Sequence, residues 1–258
     1  MKSFAILSQP CMLLSLMLLG FGINPLRAEP SIHVLIFSGQ NNHDWRATTP
    51  KLKSVLESGG NFSVDVTEHP EHCTAATLQK YDVLLSNWNT FGKPTVTNWP
   101  PAMRAAFLDF VRSGKGFVSV HAGSSSFYDW AEYQKLAGGG WKLGQTGHGP
   151  PHEFTVKLAD ADHPITRGLT NFFTTDELWH RTALQTNLEI LATAFSAPEW
   201  KGSGNDEPVA FTTKFGKGRS FNLLLGHDAK GMDNAGFQQL LCRGVEWAAT
   251  GKVLANKN

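Results

Sequence analysis

The sequence predicts an α/β protein with a mainly parallel central sheet and a C-terminal β-hairpin. In the first half of the chain, short apolar runs alternate with helical patterns and end at glycine or at polar residues. Such runs are typical of strands that are buried on both faces of a parallel sheet. In the second half, several strand-like runs follow one another, and Gly216-Lys217-Gly218 separates the last two. This short separation predicts a hairpin.

The first half of the chain predicts alternating strands and helices. The predicted strands are 33–39, 61–69, 81–88 and 116–120. A helix is predicted at 50–60, where apolar residues recur at helical spacing and the pattern stops at two glycines. A second helix at 100–115 begins at a proline pair, carries one apolar face and ends near Gly114. Alternation at these intervals favours parallel strands joined by right-handed crossovers.

The second half begins with a glycine- and proline-rich loop at 138–151. Long loops inside a compact domain are typically functional. The predicted strands that follow are 152–159, 188–195, 208–215 and 219–227. An amphipathic helix at 234–252 closes the chain, and Asn234 is its expected N-cap. Residues 29–258 are therefore expected to form a single domain.

Residues 1–28 have the pattern of a secretory signal peptide. Lys2 precedes the apolar run CMLLSLMLLGFGI, and Ala28 offers a cleavage position. The run is short for a membrane span, so we expect no stable membrane insertion after cleavage; an uncleaved anchor is the alternative. The protein is therefore expected to be periplasmic or secreted.

The composition argues against a charged binding surface. The formal net charge is +1, and the basic residues are scattered along the chain. Neither a nucleic-acid partner nor a polybasic membrane surface is therefore expected. Only Cys73 and Cys242 remain beyond the signal peptide, and Cys242 lies in the apolar pattern of the last helix. This position favours a buried thiol over a disulfide.

Three histidines follow predicted strands at their carboxyl ends. His43 follows the first strand, His121 the fourth and His227 the last. Open α/β sheets bind ligands in the crevice beyond the carboxyl ends of their strands, so we expect these side chains along one edge. Other polar and aromatic residues of this region are candidate substrate-binding groups. They are Trp45, Asn87, Trp88, His180 and Asp228.

A carboxylate and further imidazoles come from the second half. In TTDELWHRT (174–182), Glu177 and His180 are three residues apart; a helical turn would place them on one face and a strand on opposite faces. His148 and His152 flank a proline pair. Neutral imidazoles with a carboxylate suit zinc or another divalent transition metal. The candidate metal ligands are His43, His121, His227 and His152. A metal-free site, in which a histidine moves a proton and a carboxylate orients it, is the alternative.

The segment GKGFVSVHAGSSSF (115–128) predicts a sharp turn after a strand. Turns of this kind hold the nucleophile of many α/β hydrolases. Here His121 stands at the apex, and the serines that follow do not fit the G-x-S-x-G pattern. A covalent serine hydrolase is therefore not favoured.

An ordered set of motifs across residues 32–251 resembles the ThuA-like family, which is named for trehalose utilisation. The motifs are HVLIFSG with NHDW, GKGFVSVHAGSSSF, HPITRGL, TTDELW, PVAFTTKFGKGRSFNLLLGHD and GVEWAATG. The resemblance implies a flavodoxin-like three-layer sandwich similar to class I glutamine amidotransferases. Those enzymes carry a catalytic cysteine at the turn where this chain has His121, so cysteine-dependent amidotransferase chemistry is not expected.

The resemblance also implies a role in carbohydrate metabolism, particularly with 3-keto derivatives of glucosides and disaccharides. The residues that it carries over as candidate catalytic groups are His43, His121, Glu177 and His227, with His152 in addition. We therefore expect an isomerase, lyase or hydrolase that acts on a keto-sugar or glycoside by metal-assisted or histidine acid–base chemistry. No nucleotide cofactor is expected. A non-catalytic carbohydrate-binding module on the same fold is the alternative.

Overall fold

The structure is a computed structural model that describes Met1 and residues 31–92 and 99–254. Apart from Met1, the predicted signal peptide lies outside the described residues. The strands are β1 (Ile32–Phe37), β2 (Phe62–Thr67), β3 (Val83–Ser86), β4 (Gly116–Val120), β5 (Gly139–Gly140), β6 (Gly147–His148), β7 (His152–Leu158), β8 (Phe172–Asp176), β9 (Trp179–His180), β10 (Ala183–Leu184), β11 (Glu189–Phe195), β12 (Asp206–Phe215) and β13 (Gly218–Leu223). The helices are α1 (Trp45–Gly59), α2 (Ala75–Leu78), α3 (Pro101–Arg112), α4 (Ala131–Ala137) and α5 (Ala235–Thr250).

A nine-stranded mixed sheet forms the centre of the fold, in the order β2-β1-β3-β4-β13-β12-β11-β7-β8. The strands from β2 to β13 in this order are parallel neighbours, and those from β13 to β8 are antiparallel neighbours. Two small two-stranded sheets, β5 with β10 and β6 with β9, are formed by segments that lie between β4 and β11 in the chain. The predicted parallel strands and the hairpin of β12 and β13 are confirmed.

Helices cover both faces of the parallel half, which gives the predicted three layers. Val34 and Ile36 of β1 belong to the core cluster that includes apolar residues of α1 and α5. Leu35 and Phe37 belong to the opposite cluster, with residues of α3 and α4. Because both faces are buried, the successive side chains from Val34 to Phe37 are all apolar rather than alternating with polar ones. This explains why the strand reads as one continuous apolar run.

Helix α1 begins earlier than the sequence predicted. The prediction began at Pro50, where apolar residues at helical spacing lead to the glycine stop. In the structure the helix begins at Trp45, since the side chain of Asp44 accepts a hydrogen bond from the backbone N–H of Ala47 and caps it. The predicted cap of α5 is confirmed, because Asn234 accepts hydrogen bonds from the first turn.

Strand β8 was not predicted. It pairs with β7 at the edge of the sheet, and its residues alternate between exposed and buried positions. Its pairing positions the polypeptide that leads directly into Glu177. Cys73 and Cys242 are both free, half-buried thiols, and burial together with the charge of Glu246 raises the pKa of Cys242 to about 12. Among the described residues, no helix combines the length and apolar character needed to cross a bilayer.

Candidate functional site

Four side chains from distant segments converge beyond the carboxyl ends of the parallel strands. His43 follows β1, His121 follows β4, His227 follows β13, and Glu177 lies between β8 and β9. One ligand-type atom of each residue lies within 4.8 Å of those of the other three. The ring centroid of His43 is 5.0 Å from that of His121 and 4.7 Å from that of His227. The structure thus brings together a group of three imidazoles and one carboxylate, here called the histidine–glutamate group.

His121 occupies the turn at the end of β4 in a left-handed backbone conformation, with φ of 39°. Such a conformation is unfavourable for a residue with a side chain and is typical of functional turns. The next turn packs closely on β3: a Cβ atom on Gly123 would lie 2.1 Å from the carbonyl oxygen of Ser86. Glycine at 123 is therefore required for the turn to approach the sheet.

The ring of His121 has a defined tautomer. Its Nδ1 lies 2.8 Å from the carbonyl oxygen of Leu224, which can only accept, so Nδ1 carries the proton in the neutral ring. The other nitrogen, Nε2, is buried, has no hydrogen-bond partner among the described residues, and lies 3.6 Å from Oε1 of Glu177. A buried imidazole nitrogen with a free lone pair is available to bind a metal or to move a proton.

Glu177 is buried and lies at the centre of the group. The indole Nε1–H of Trp179 donates to its Oε1 at 3.0 Å. Its Oε2 lies 3.0 Å from Nδ1 of His148 and 3.4 Å from Nδ1 of His227. Burial opposes ionisation of this carboxyl, but the surrounding imidazoles, His121 foremost, lower the pKa of Glu177 to about 2. The site therefore contains a permanent negative charge.

The imidazoles have different proton affinities. Burial, and then the charges of His121 and His227, lower the pKa of His43 to about 4, so its ring is neutral at pH 7. Burial also acts to lower the pKa of His121, but the interactions with Glu177 and Asp176 outweigh it and raise that pKa. The site therefore favours one positive charge beside Glu177, which a proton or a metal cation can supply.

Asp176 connects this site to the sheet, and it was not identified from the sequence. Its Oδ2 accepts a hydrogen bond from the backbone N–H of Gly226 at 2.7 Å. Its Oδ1 accepts from the backbone N–H groups of His227 at 3.0 Å and Glu177 at 2.8 Å. One buried carboxylate thus fixes the backbone of two members of the histidine–glutamate group.

Two further predicted histidines lie outside that group. Nδ1 of His152 donates to the carbonyl oxygen of Pro150, and its ring stacks on Trp200 with a centroid distance of 5.0 Å. The structure therefore does not bring His152 to the other proposed metal ligands. His180 lies on β9 and packs against Gly147 of β6. Glu177 and His180 are on neither a helical turn nor one continuous strand, because Glu177 precedes β9.

The predicted aromatic groups have different surroundings. Trp88 is 2% exposed and packs in the core with Phe127 at a centroid distance of 5.3 Å. Since its ring is enclosed by apolar residues, it stabilises the core rather than offering a surface to substrate. Trp45 begins α1, and the guanidinium of Arg46 lies 4.2 Å from its ring centroid.

The predicted polar groups stabilise loops at this edge. The side-chain amide of Asn87 donates to the hydroxyls of Thr48 and Thr49 and so joins the end of β3 to α1. The carboxylate of Asp228 accepts from the backbone N–H of Gly231 at 2.7 Å. These contacts occupy polar atoms that the sequence suggested for substrate binding.

His148 and Trp179 are additional members of the surroundings of Glu177. The indole of Trp179 donates to its carboxylate and packs on His121 at a centroid distance of 4.8 Å. Nδ1 of His148 lies 2.8 Å from the carbonyl oxygen of Gly149 and 3.0 Å from Oε2 of Glu177. The sequence signal for His148 was its place in the glycine-rich loop at 138–151. Its contact with Glu177 arises because β6 pairs with β9, two residues beyond that carboxylate.

Comparisons with known proteins are consistent across most of the chain. The family model ThuA, described as trehalose utilisation, matches residues 33–248. A ThuA-like protein from Parabacteroides merdae is 32% identical, with a TM-score of 0.77, over 88% of this chain and 92% of that one. No curated protein has significant similarity to the sequence.

Two more distant structures share the fold. A ThuA-like protein from Bacteroides uniformis is 21% identical, with a TM-score of 0.66, over 88% of this chain and 96% of that one. A β-galactosidase from Bacillus circulans sp. alkalophilus is 18% identical, with a TM-score of 0.55, over 90% of this chain and 33% of that one. The second match concerns one part of a much longer chain and shows similarity of fold alone.

Proposed function

The chain belongs to the ThuA family, and from this premise we propose that it is an exported enzyme of carbohydrate metabolism that acts on a keto-sugar or glycoside. The chemistry proposed is metal-assisted or histidine acid–base catalysis at the histidine–glutamate group. The observation that carries the proposal is the convergence of three imidazoles and one carboxylate within 4.8 Å. The link of the family to trehalose utilisation supports a sugar as the substrate.

The residues present fit a divalent transition metal. Nε2 of His121 and Nδ1 of His227 are buried and lack hydrogen-bond partners among the described residues. The Nδ1–H group of His121 is bonded to a backbone carbonyl, an arrangement that orients metal-binding histidines in proteins. The neutral ring of His43 and the ionised Glu177 complete a donor set that suits zinc or a similar ion. His43, His121 and His227, with Glu177, would hold the metal.

A bound divalent metal supplies a Lewis acid that polarises a sugar carbonyl or lowers the pKa of water. The chain's own groups have roles that do not depend on that step. The indole Nε1–H of Trp179 donates to the carboxylate of Glu177 and holds it in place, which leaves a pre-oriented negative group at the site. With a pKa of about 2, Glu177 is a weak base, so it supplies negative charge at the site rather than accepting a proton. Without a metal, His121 would move the proton and Glu177 would orient its ring.

Export is proposed from residues 1–28 alone, which have a charged residue, an apolar run and a small residue at the cleavage position. Expression of the full chain in a Gram-negative host, followed by fractionation and N-terminal sequencing, tests it. The expected product is periplasmic or secreted and begins at Glu29. Full-length protein in the cytoplasm would contradict the proposal.

The first test of the function measures the metal content of the purified protein by mass spectrometry. His121→Ala removes a member of the histidine–glutamate group, and His152→Ala is a matched control because His152 is also a buried histidine but lies outside it. We expect near-stoichiometric divalent metal in the wild type and in the control, and its loss in His121→Ala. No metal in the wild type after growth with added zinc would refute the metal centre.

Turnover of 3-keto-glucosides then separates the remaining possibilities. Turnover that is lost in His121→Ala but retained in His152→Ala is the expected result for an enzyme. Saturable sugar binding without turnover, unchanged in His121→Ala, would instead identify a carbohydrate-binding module.

A further inference from the structure

Three metal-ligating side chains lie together on the surface, outside the histidine–glutamate group. They are His69, Glu71 and His72, here called the surface triad, and one ligand-type atom of each lies within 4.8 Å of those of the other two. The triad follows β2, whose carboxyl end lies at the same edge of the sheet as that of β1 because the two strands are parallel. It shares no residue with the histidine–glutamate group, so it is a separate candidate site.

A tight turn places the two imidazoles over one another. Residues Pro70–His72 form a single 3₁₀ turn, in which the backbone N–H of His72 donates to the carbonyl oxygen of His69 at 3.0 Å. Because a 3₁₀ helix has three residues per turn, side chains three positions apart lie on the same side of it. The rings of His69 and His72 accordingly stack, with centroids 5.3 Å apart and planes inclined by 21°.

The turn is held by contacts that do not involve the imidazole rings. Pro70 is buried, and its pyrrolidine ring fixes the backbone angle φ of the first residue of the turn. The backbone N–H of His69 donates to the hydroxyl of Thr67 at 3.2 Å, and that of Cys73 donates to the carbonyl oxygen of Pro70 at 3.1 Å. The positions of the ligands are therefore preorganised before a metal binds.

Both imidazoles face the same carboxylate oxygen. Oε1 of Glu71 lies 3.1 Å from Nδ1 of His69 and 3.8 Å from Nε2 of His72. Zinc binds imidazole nitrogen and carboxylate oxygen at about 2.0–2.2 Å, so two ligand atoms on a tetrahedral zinc ion are about 3.4 Å apart. The two observed separations lie on either side of this value. A hydrogen bond explains the contact between Glu71 and His69, but it does not explain why a second imidazole approaches the same oxygen.

The donor set selects the class of metal. Two imidazoles and one carboxylate suit zinc, copper(II) or nickel(II), whereas magnesium and calcium prefer oxygen ligands. The side chains of His69 and His72 are 68% and 75% exposed, so a metal reaches them from solvent without opening of the fold. Three protein ligands leave a fourth tetrahedral position for water or for an external ligand.

We propose that the surface triad binds one divalent transition metal, such as zinc, independently of the histidine–glutamate group. The ligands are Nδ1 of His69, Oε1 of Glu71 and Nε2 of His72, so each neutral ring then carries its proton on the other nitrogen. Because the triad is open to solvent, its metal exchanges readily. Dialysis against metal-free buffer removes it, and added zinc restores it.

The test is calorimetric titration of zinc into dialysed protein that lacks a purification tag, in the His121→Ala background. This background disables the histidine–glutamate group, so the zinc that it binds reports on the surface triad. We expect one equivalent of zinc per chain. His69→Ala with His72→Ala, added to this background, should remove that equivalent. His33→Ala is the matched control, because His33 is an exposed histidine outside both groups.

Glu71→Gln tests the carboxylate ligand. It should weaken zinc binding at least about 10-fold, since the loss of an outer partner of a metal ligand already costs that much. Glu68→Gln, which changes an exposed carboxylate just before the triad, should have no effect. Added copper(II) should displace the zinc, and magnesium at equal concentration should not. Excess zinc should raise the melting temperature only where the triad is intact, because it binds the folded state.

The absence of zinc binding by His121→Ala overturns the proposal, and so does an unchanged number of bound equivalents after both imidazoles of the triad are removed. Displacement by magnesium overturns the class of metal. The result is separate from the test of the proposed function. Metal that the dialysed wild type retains reports on the histidine–glutamate group, whereas zinc that His121→Ala takes up reports on the surface triad. Either site can therefore fail without the other.

Discussion

Asp176→Asn is the substitution that most directly tests how the site is held together. The change keeps the shape of the side chain and removes its charge. In the wild type, the two carboxylate oxygens accept three backbone hydrogen bonds, from Glu177, Gly226 and His227. An asparagine can still accept two of them through its single oxygen. Its amide nitrogen would face the N–H of Gly226, which would lose its partner.

The magnitude follows from these contacts. An unpaired buried N–H costs about 1–3 kcal/mol, and each of the two remaining hydrogen bonds is weaker by about 1 kcal/mol because its acceptor is no longer charged. Part of this loss is offset because the neutral asparagine does not require a charge to be buried. We therefore expect the free energy of unfolding to fall by about 3 kcal/mol. For a domain of this size that corresponds to a melting temperature lower by about 6–12 °C. Because the bond from Gly226 is lost and the bonds from Glu177 and His227 are weakened, metal affinity should also fall about 10- to 100-fold.

The assay is urea unfolding followed by tryptophan fluorescence, with metal content measured on the same samples. Asp206→Asn is the matched control, because Asp206 makes an exposed ion pair with Lys157 at 3.3 Å, and both side chains are 50% exposed. Its loss should change the free energy of unfolding by less than about 0.5 kcal/mol. A destabilisation below about 1 kcal/mol for Asp176→Asn, with unchanged metal content, would refute the positioning role of Asp176.

Two further predictions concern the histidine turn and pH. Gly123→Ala should prevent stable folding or lower the melting temperature by at least about 10 °C, because the added Cβ would lie 2.1 Å from the carbonyl oxygen of Ser86. A melting curve like that of wild type would contradict this prediction. For His43, the folded pKa of about 4 lies below the unfolded value of 6.5, so its contribution is present above pH 6.5 and is lost as pH falls towards 4. We compare the free energy of unfolding of metal-depleted wild type and His43→Gln. Between pH 6.5 and pH 4, this free energy should fall by about 2 kcal/mol less in His43→Gln than in wild type, after a discount for partial exposure. Parallel pH profiles of unfolding free energy for the two proteins would exclude this role of His43.

The positions of His43, His121 and His227 could be predicted because they depend on one general property of the fold. Each follows a strand of the parallel half, and the carboxyl ends of parallel strands meet at one edge. The apolar runs of these strands are visible in the sequence since both faces of the sheet are buried. The position of each histidine directly after a predicted parallel strand was therefore sufficient to predict that the three imidazoles lie close together.

The contribution of the antiparallel half could not be predicted in the same way. Glu177 was proposed as a candidate, but its position depends on β8, an edge strand, and on the irregular backbone between β8 and β9. Asp176 and His148 act through contacts with residues far along the chain, and no periodic pattern encodes such contacts. His152 was predicted as a metal ligand from its place beside a proline pair. In the structure its ring is hydrogen-bonded to the carbonyl oxygen of Pro150 and stacked on Trp200, away from the histidine–glutamate group.

The two halves of the sheet thus contribute different chemistry to one site. The parallel half supplies imidazoles at strand ends, and the antiparallel half supplies the carboxylate that favours a cation among them. Asp176 bonds the two halves together at the backbone of Gly226 and His227, so the geometry of the site depends on their docking. Two unfavourable features, the left-handed backbone of His121 and the buried charge of Glu177, occur at this junction. Features of this kind persist where function requires them, which is the physical reason to regard the junction as the candidate functional site.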